Sequence, residues 1–366
     1  MRQPRKRLPT LVVYAADASN QTLSYQVGWP HGFAAHPRFD CDLVNVRRTR
    51  GLSRIRALLG VRGRRYRAIV MLHSVFSNER TLYGEICRTV ARSTAVKAYF
   101  IGNEFKLMPE KMAFCEELGI DLLVSMAANP SVRELYRQRL GCRVVEIPSA
   151  GVDPGVFFPR TPMSERTVDL GYRADAEPMY FGHQDRTVIA EHFLTNAAPY
   201  RLRLDVTLDP AARFAREAYA AFLNRCIGQL GTEAGTNYFD LEDSTRNRVN
   251  AYLAHHPDAD LDELGERIFD RVERTPARMM SGRHSEAAAT KTVQILFEGG
   301  YNGIFRPDVH YIALRKDFSN VGDVLERFRD EAARREIAEN AYVAAHEQLS
   351  YAKLIDRFHA ALGELL

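Results

Sequence analysis

One alternation constrains this chain more than any other feature, and it runs through it twice: short, near-continuous apolar runs separated by stretches of helical periodicity. TLVVYAA, CDLVNV, AIVMLHS, VKAYFIG, DLLVSM and RVVEIPS form the first set, and NERTLYGEICRTVAR, PEKMAFCEELG and SVRELYRQRLG lie between its later members. A strand apolar along its whole length is buried on both faces, and strands joined through helices run parallel. The expected unit is a doubly wound α/β domain ending near IPSAGVDPGVFFPRTP, where Pro148, Pro154, Pro159 and Pro162 mark a connecting segment. A second series follows: TVDLGYR, YRLRLDVTL, RCIGQLG, VQILFEG and HYIALRKD. It includes a polar, largely helical excursion at 240–276, and final helices follow at about 321–347 and 351–366. Two Rossmann-like domains in tandem predict a ligand in the cleft between them, at the carboxyl ends of the strands.

The length of 366 residues suits two domains, and 46% hydrophobic with 26% charged residues is a soluble globular composition. Five scattered cysteines without a C-x-x-C pair argue against a disulfide framework and a zinc site, and for a reducing cytoplasm. No apolar run approaches the ~18 residues of a membrane span. The run from Leu11 to Ala16, after MRQPRKRL, imitates a secretory signal but is shorter than a usual h-region, so it reads as a first buried strand.

Charge is uneven: residues 1–67 carry a net +11 and the remainder −7. RRTRGLSRIRALLGVRGRRYR, residues 47–67, holds nine arginines, with Leu52, Ile55, Leu58 and Leu59 at helical spacing. A short basic amphipathic helix suits an anionic membrane surface, with arginines on headgroups and the apolar strip partly inserted. A solvated basic face packed by its leucines gives the same pattern. Nucleic acid is the other partner such charge suits. No accompanying motif supports it, and no aromatic platform interleaves with the arginines. The expected partner is the inner membrane face, and the expected location is cytoplasmic and peripheral.

SGRHSEAAATKT, at 281–292, puts Arg283, His284 and Glu286 at the open end of a short Ala-rich helix over 285–291, ahead of an apolar strand and a Gly-rich turn. One reading is capping, by Ser285 with Glu286 at the positive helix end. The other is an anion site, with free backbone N–H groups and a cation facing a phosphate. In the first series, AIVMLHS places His73 at the carboxyl end of a strand, and FIGNEFK places Asn103 and Glu104 at the end of the next.

GVDPGVFFP at 151–159 resembles the interdomain Gly-Val-Asp-x-x-x-Phe-x-Pro segment of GT-B glycosyltransferases of the family 4 type. EAAATKTVQ at 286–294 resembles their Glu-Ala-Met-Ala-x-Gly-x-Pro-Val segment. The run RHSEAAATKTVQILFEGGYNGIFRPDVHYIALRKDFSNV is similar to a bacterial branch associated with surface-polysaccharide assembly. The resemblance covers most of residues 67–345 in layout and is specific in these segments. Arg278 stands where the family has another Glu, and Lys291-Thr292-Val293 replaces its Gly-x-Pro.

The resemblance implies a GT-B fold, α/β with two Rossmann-like domains facing a cleft. Residues 1–155 would bind the acceptor and 156–345 the nucleotide-sugar, with a C-terminal helix at 346–366 packing back toward the first domain. It implies that Glu286 takes the ribose hydroxyls and that Arg173 and Arg186 grip the donor diphosphate, with Arg283, His284 and Glu233 as further donor contacts. His73, Asn103 and Glu104 are the candidates for acceptor contact. His73, Glu104 and Arg173 are the catalytic candidates, Arg173 as the partner of the departing diphosphate. The implied activity is sugar transfer from a nucleotide-sugar to a saccharide or lipid-linked acceptor in cell-surface polysaccharide assembly, with retention. No cofactor, no metal and no nucleic-acid partner are expected. A sugar-nucleotide epimerase or hydrolase on the same scaffold, or a non-catalytic nucleotide-binding protein, would share these features.

Overall fold

The computed structural model of the protein describes residues 7–17, 24–47, 52–149 and 151–366. The chain divides into two compact units. The first comprises residues 1–149, 239–244 and 351–366, and the second residues 150–238 and 245–350.

The first unit is built on six strands: β1 (Leu8–Tyr14), β2 (Phe39–Asn45), β3 (Ala68–Met71), β4 (Val96–Phe100), β5 (Leu122–Ser125) and β6 (Arg143–Glu146). All pair in parallel, in the order β2-β1-β3-β4-β5-β6. Every residue of β3 and β5 is buried: AIVM and LLV are apolar throughout, and Ser125 is satisfied by donating to Glu104. The strand order reverses between β1 and β3, which makes their carboxyl ends the switch point where such sheets hold ligands.

Helices α1 (Ser24–Ala35), α2 (Leu52–Arg62), α3 (Gly84–Ala91), α4 (Met108–Leu118), α5 (Pro130–Leu140) and α14 (Tyr351–Gly363) flank this sheet. Local chemistry bounds them. Asn129 caps α5 by accepting from Ser131 N at 3.0 Å, with Pro130 in the first turn and Gly141 at its end in the left-handed region (φ 65°). The core between α1 and α14 is aromatic: Trp29 lies 4.8 Å from Phe100, and Phe358 lies 5.4 Å from Phe33 and 5.2 Å from Phe100, between ring centroids. Gly28 permits this, because a Cβ there would lie 2.1 Å from Tyr351 Cζ. The short segment 239–244 belongs to the same unit: Asp243 Oδ2 accepts from Leu107 N at 2.6 Å and Phe239 packs edge-on to Tyr136.

The second unit holds β7 (Val168–Arg173), β8 (Leu204–Thr207), β9 (Cys226–Gly231), β12 (Val293–Phe297) and β13 (Ile312–Leu314), all parallel in the order β13-β12-β9-β7-β8. An antiparallel pair, β10 (Ala234–Thr236) and β11 (Ala277–Met279), stands apart. The helices are α6 (Asp185–Thr195), α7 (Ala197–Tyr200), α8 (Arg216–Arg225), α9 (Ser244–Leu253), α10 (Leu261–Arg267), α11 (Gly282–Ala289), α12 (Val321–Arg329) and α13 (Glu331–Leu349). Leu170, Ile295, Leu314, Val324 and Phe328 lie in its core.

The single helix expected at 321–347 is two, because Asp330 leaves the helical path and caps α13, accepting from Ala332 N at 2.8 Å and Ala333 N at 3.2 Å. The last break falls at Ser350 rather than near 346. No helix of the described residues is long and apolar enough to cross a membrane.

Candidate functional site

In the second unit the strand order reverses between β7 and β9, so their carboxyl ends form its switch point. The opening of α11 supplies one wall. The helix starts at Gly282, not at Ser285. Ser281 is its N-cap, and the capping box is closed by His284, whose Nδ1 accepts from Ser281 N at 3.0 Å. Ser285 turns back instead, donating to Gly282 O at 2.8 Å. His284 is 2% exposed and edge-on to Tyr301, and burial holds its pKa down to about 3, so the ring is neutral with its remaining N–H at Nε2. His284, expected at the donor, therefore shapes the helix start.

Arg283, one residue earlier, is half-buried and its guanidinium has no ion pair among the described residues. Arg186, on the first turn of α6, is held by Glu177: its backbone N donates to Glu177 Oε1 at 2.8 Å and its Nε lies 3.5 Å from that oxygen. Burial lowers the Arg186 pKa, Tyr172 and Glu177 oppose the shift, and the positive charge of Arg283 adds to it. Burial raises the pKa of Tyr172 to about 12, and the same two guanidiniums pull it down. Two arginines whose positive charges act on each other, only Arg186 being bonded to a carboxylate, stand beside a helix N-terminus at the switch point. The geometry suits a phosphate or diphosphate.

Glu286 sits in the second turn of α11 rather than at its start and is 6% exposed. Its negative charge acts on the buried Tyr219, as does the positive charge of Arg283, which places both near one ring. Behind α11, Arg166 is a feature the sequence did not announce. It is 4% exposed, with no carboxylate partner among the described residues, and donates to Thr290 O at 2.8 Å, Cys226 O at 2.9 Å, Thr292 Oγ1 at 3.0 Å and Thr161 O at 3.2 Å. Those bonds pin Thr290 and Thr292 at the end of α11, at the segment where Lys291-Thr292-Val293 replaces the Gly-x-Pro of the resembling family.

Arg173, expected to grip the diphosphate, is engaged elsewhere. It donates to Asp205 O at 2.7 Å, pairs with the Asp205 carboxylate, and lies over the Phe222 and Phe214 rings at 4.5 and 5.0 Å. Its charge is already answered by the neighbouring strand. Glu233 accepts from Tyr301 N at 2.8 Å and packs against Gly299, where a Cβ would lie 2.7 Å from its Oε2. Glu233 thereby fixes the Gly-rich turn, while also lining a polar recess of about 170 Å3 with Arg278, Lys316 and Asn237. Arg278 donates to Asp185 Oδ2 at 2.6 Å, and Lys316 reaches the same carboxylate at 2.8 Å.

In the first unit, His73 follows β3 at the switch point. It is 2% exposed among Tyr25, Trp29 and Phe100, neither ring nitrogen has a partner among the described residues, and burial lowers its pKa to about 3. It is a neutral imidazole. Glu104 is fully buried and accepts from Ser125 Oγ at 2.7 Å, Met126 N at 2.7 Å and Tyr136 O–H at 2.8 Å. A carboxylate so enclosed holds its loop; the expectation that it meets an acceptor or removes its proton has no opening in this geometry. Asn103 remains half-exposed, in the left-handed region (φ 48°) and bonded to Asn78. Lys111, also missed, is fully buried beneath that loop and donates to Gly102 O at 2.6 Å, Asn103 O at 2.9 Å and Lys106 O at 2.9 Å. Among the described residues no group of three or more His, Cys, Asp or Glu is placed to hold a metal ion.

No family model matches the chain, and no curated protein matches it. Solved structures do. Sucrose-phosphate synthase from Thermosynechococcus elongatus is similar with a TM-score of 0.53 at 10% identity, over 98% of this chain and 99% of that one. HepE of Anabaena in complex with UDP-glucose has a TM-score of 0.51 at 10% identity, over 98% and 100%. The β-glucosyltransferase of T4 phage with its UDP-glucose substrate has a TM-score of 0.53 at 10% identity, over 96% and 98%. At that identity the likeness speaks for architecture. The chain has the GT-B fold, with two Rossmann-like domains.

Proposed function

We propose that this protein is a glycosyltransferase whose second unit holds a nucleotide-sugar donor at the β7–β9 switch point. The observation that carries the reading is that Arg186 and Arg283 lie close enough for their charges to act on each other beside the start of α11, with Glu177 bonded to Arg186 and no ion pair to Arg283 among the described residues. A nucleoside diphosphate gains negative charge as its glycosidic bond breaks, and fixed cations in a partly desolvated setting stabilise that charge most. Glu286, one turn further on, is the candidate for the ribose hydroxyls. The sugar passes to a saccharide or lipid-linked hydroxyl, in surface-polysaccharide assembly and with retention of the anomeric configuration; this finer assignment rests on the resemblance of the segments at 151–159 and 286–294 and of the run 283–321. The protein rests on the inner membrane face through residues 47–67, of which 48–51 lie outside the described residues. Within that region, Ile55 and Leu59, 57% and 62% exposed, supply an apolar stripe on α2.

Thermal melting against a panel of nucleoside diphosphates and their sugars tests the donor site, since a ligand selective for the folded state raises its melting temperature. We expect one nucleotide to stabilise the wild type and Arg173→Ala, and Arg186→Ala to weaken that nucleotide by about tenfold or more, as loss of a charged hydrogen-bond partner implies. Equal responses of Arg186→Ala and the wild type would remove the pair from the donor site. Release of free sugar from the donor without any acceptor would mark a hydrolase instead.

A further inference from the structure

Arginines on the surface of the first unit are mostly matched by carboxylates: Arg47 by Asp17 and Glu79, Arg56 and Arg65 by Asp42, Arg80 by Glu117, Arg139 by Glu116 and Arg143 by Glu364. One place breaks the pattern. The ends of α2 and α3 border an open basin of about 480 Å3 lined by Arg62, Arg64, Arg88 and Arg92, with Val61, Thr89, Ser93 and Thr94 among them. Glu85 is the only acidic residue of the lining, and Arg62 already pairs with it. Arg64, Arg88 and Arg92 are exposed and have no ion-pair partner among the described residues. Cations in the last turn of a helix answer its negative end, and one guanidinium suffices for that; this basin gathers four.

We propose that the basin binds a terminal phosphoryl group, a phosphomonoester or diphosphate, carried by a lipid. Guanidiniums offer paired donors in the fork geometry that phosphate oxygens accept, and the attraction of several around one basin grows with the charge of the anion, so a dianion gains over a singly charged phosphodiester. Hydroxyls of Thr89, Ser93 and Thr94 supply further donors. The lipid source rests on the membrane reading given above and on one more observation. Ile55, Leu59 and Arg62 are spaced four and three apart, which puts them on one stripe of α2 leading to the basin, while Ala57 is buried on the other side and the buried Val61 lines the basin itself. Exposed apolar residues running into a cluster of unpaired arginines suit an acyl region below a headgroup.

Vesicle flotation of the full-length protein separates the alternatives. Phosphatidylcholine vesicles carrying phosphatidic acid, a phosphomonoester, are compared with vesicles carrying phosphatidylglycerol, a phosphodiester, at matched surface charge. We expect the wild type to favour the monoester by about tenfold, soluble pyrophosphate to compete, and the preference to vanish in Arg88→Gln/Arg92→Gln while binding to phosphatidylglycerol persists. Ile55→Ser/Leu59→Ser should weaken both vesicles alike. Near-ultraviolet circular dichroism confirms that each variant is folded. Equal binding of both lipids by the wild type would overturn the basin and leave the membrane reading standing. Binding to neither vesicle, with pyrophosphate raising the melting temperature only when Arg88 and Arg92 are present, would overturn the lipid source. Tight binding to duplex DNA without a monoester preference would overturn the proposal altogether.

Discussion

At the residue scale, the clearest departures from ordinary chemistry are imidazoles kept neutral by burial. His73 and His284 are each 2% exposed, and each has its pKa lowered to about 3. In the unfolded chain both return to about 6.5. Between those values the unfolded state binds more protons than the folded one, so stability rises with pH. The contribution is complete above about pH 6.5 and is lost as pH falls toward 3, at up to about 1.4 kcal/mol per pH unit for each ring. His73→Phe keeps an aromatic ring among Tyr25, Trp29 and Phe100 and removes the proton site. Its urea-unfolding free energy should therefore depend on pH less steeply than that of the wild type, by about one proton over the acid range. An unchanged slope would mean that His73 is solvated or paired in solution. The same burial makes His73 a poor source of positive charge near neutrality; toward a sugar it can act as a neutral donor or acceptor.

At the element scale, α11 is held at both ends, by the Ser281–His284 box in front and by Arg166 behind. Burial lowers the Arg166 pKa to about 10, so it stays charged at neutral pH with carbonyl and hydroxyl oxygens as its partners. Arg166→Met should cost on the order of 3–5 kcal/mol, because it orphans several buried acceptors at once. Arg166→Lys should recover less than half, since an ammonium has three donors on one atom and cannot span that set. Urea denaturation of the two variants measures this, and Arg166→Met as stable as the wild type would show the clamp to be redundant. Neither end of α11 was legible. Two serines stand near its start, and a capping box is ordinarily recognised by Glu or Gln three residues on, where this chain uses His284. The strands of the two parallel sheets, by contrast, were readable, because short apolar runs such as AIVM between helical stretches fit a sheet covered on both faces, whereas the three-residue antiparallel strands β10 and β11 carry no such run. Arg173 and Glu104 show the limit from the other side. Each has the right letter at the end of a strand, but what decides its role is a partner distant in sequence: Asp205 on β8 for one, Ser125 and Tyr136 for the other. Pairing across strands leaves no periodic trace in a single sequence.

At the scale of the whole molecule, the first unit is discontinuous, closed by α14 from the far end of the chain. Tyr351, Leu354, Ile355 and Phe358 are all buried, with Phe358 against Phe33, Phe39 and Phe100. Removing residues 351–366 would strip four large side chains from that core at about 1.5–3 kcal/mol each, comparable to the whole stability of an ordinary domain. The second unit, residues 150–238 and 245–350, keeps its own sheet and its candidate donor site. Trp29, the single Trp, is fully buried in the first unit with its ring centroid 5.5 Å from Tyr351, so its fluorescence reports on that unit alone. The truncated chain should show a red-shifted Trp29 emission at temperatures where circular dichroism still records a folded α/β unit. The nucleotide that stabilises the intact protein should raise the melting of that remaining unit without restoring the Trp29 signal. A truncated chain with native Trp29 emission would show that α14 covers the first unit without completing its core. Loss of the nucleotide response together with the Trp29 signal would show that the second unit does not hold its donor site alone.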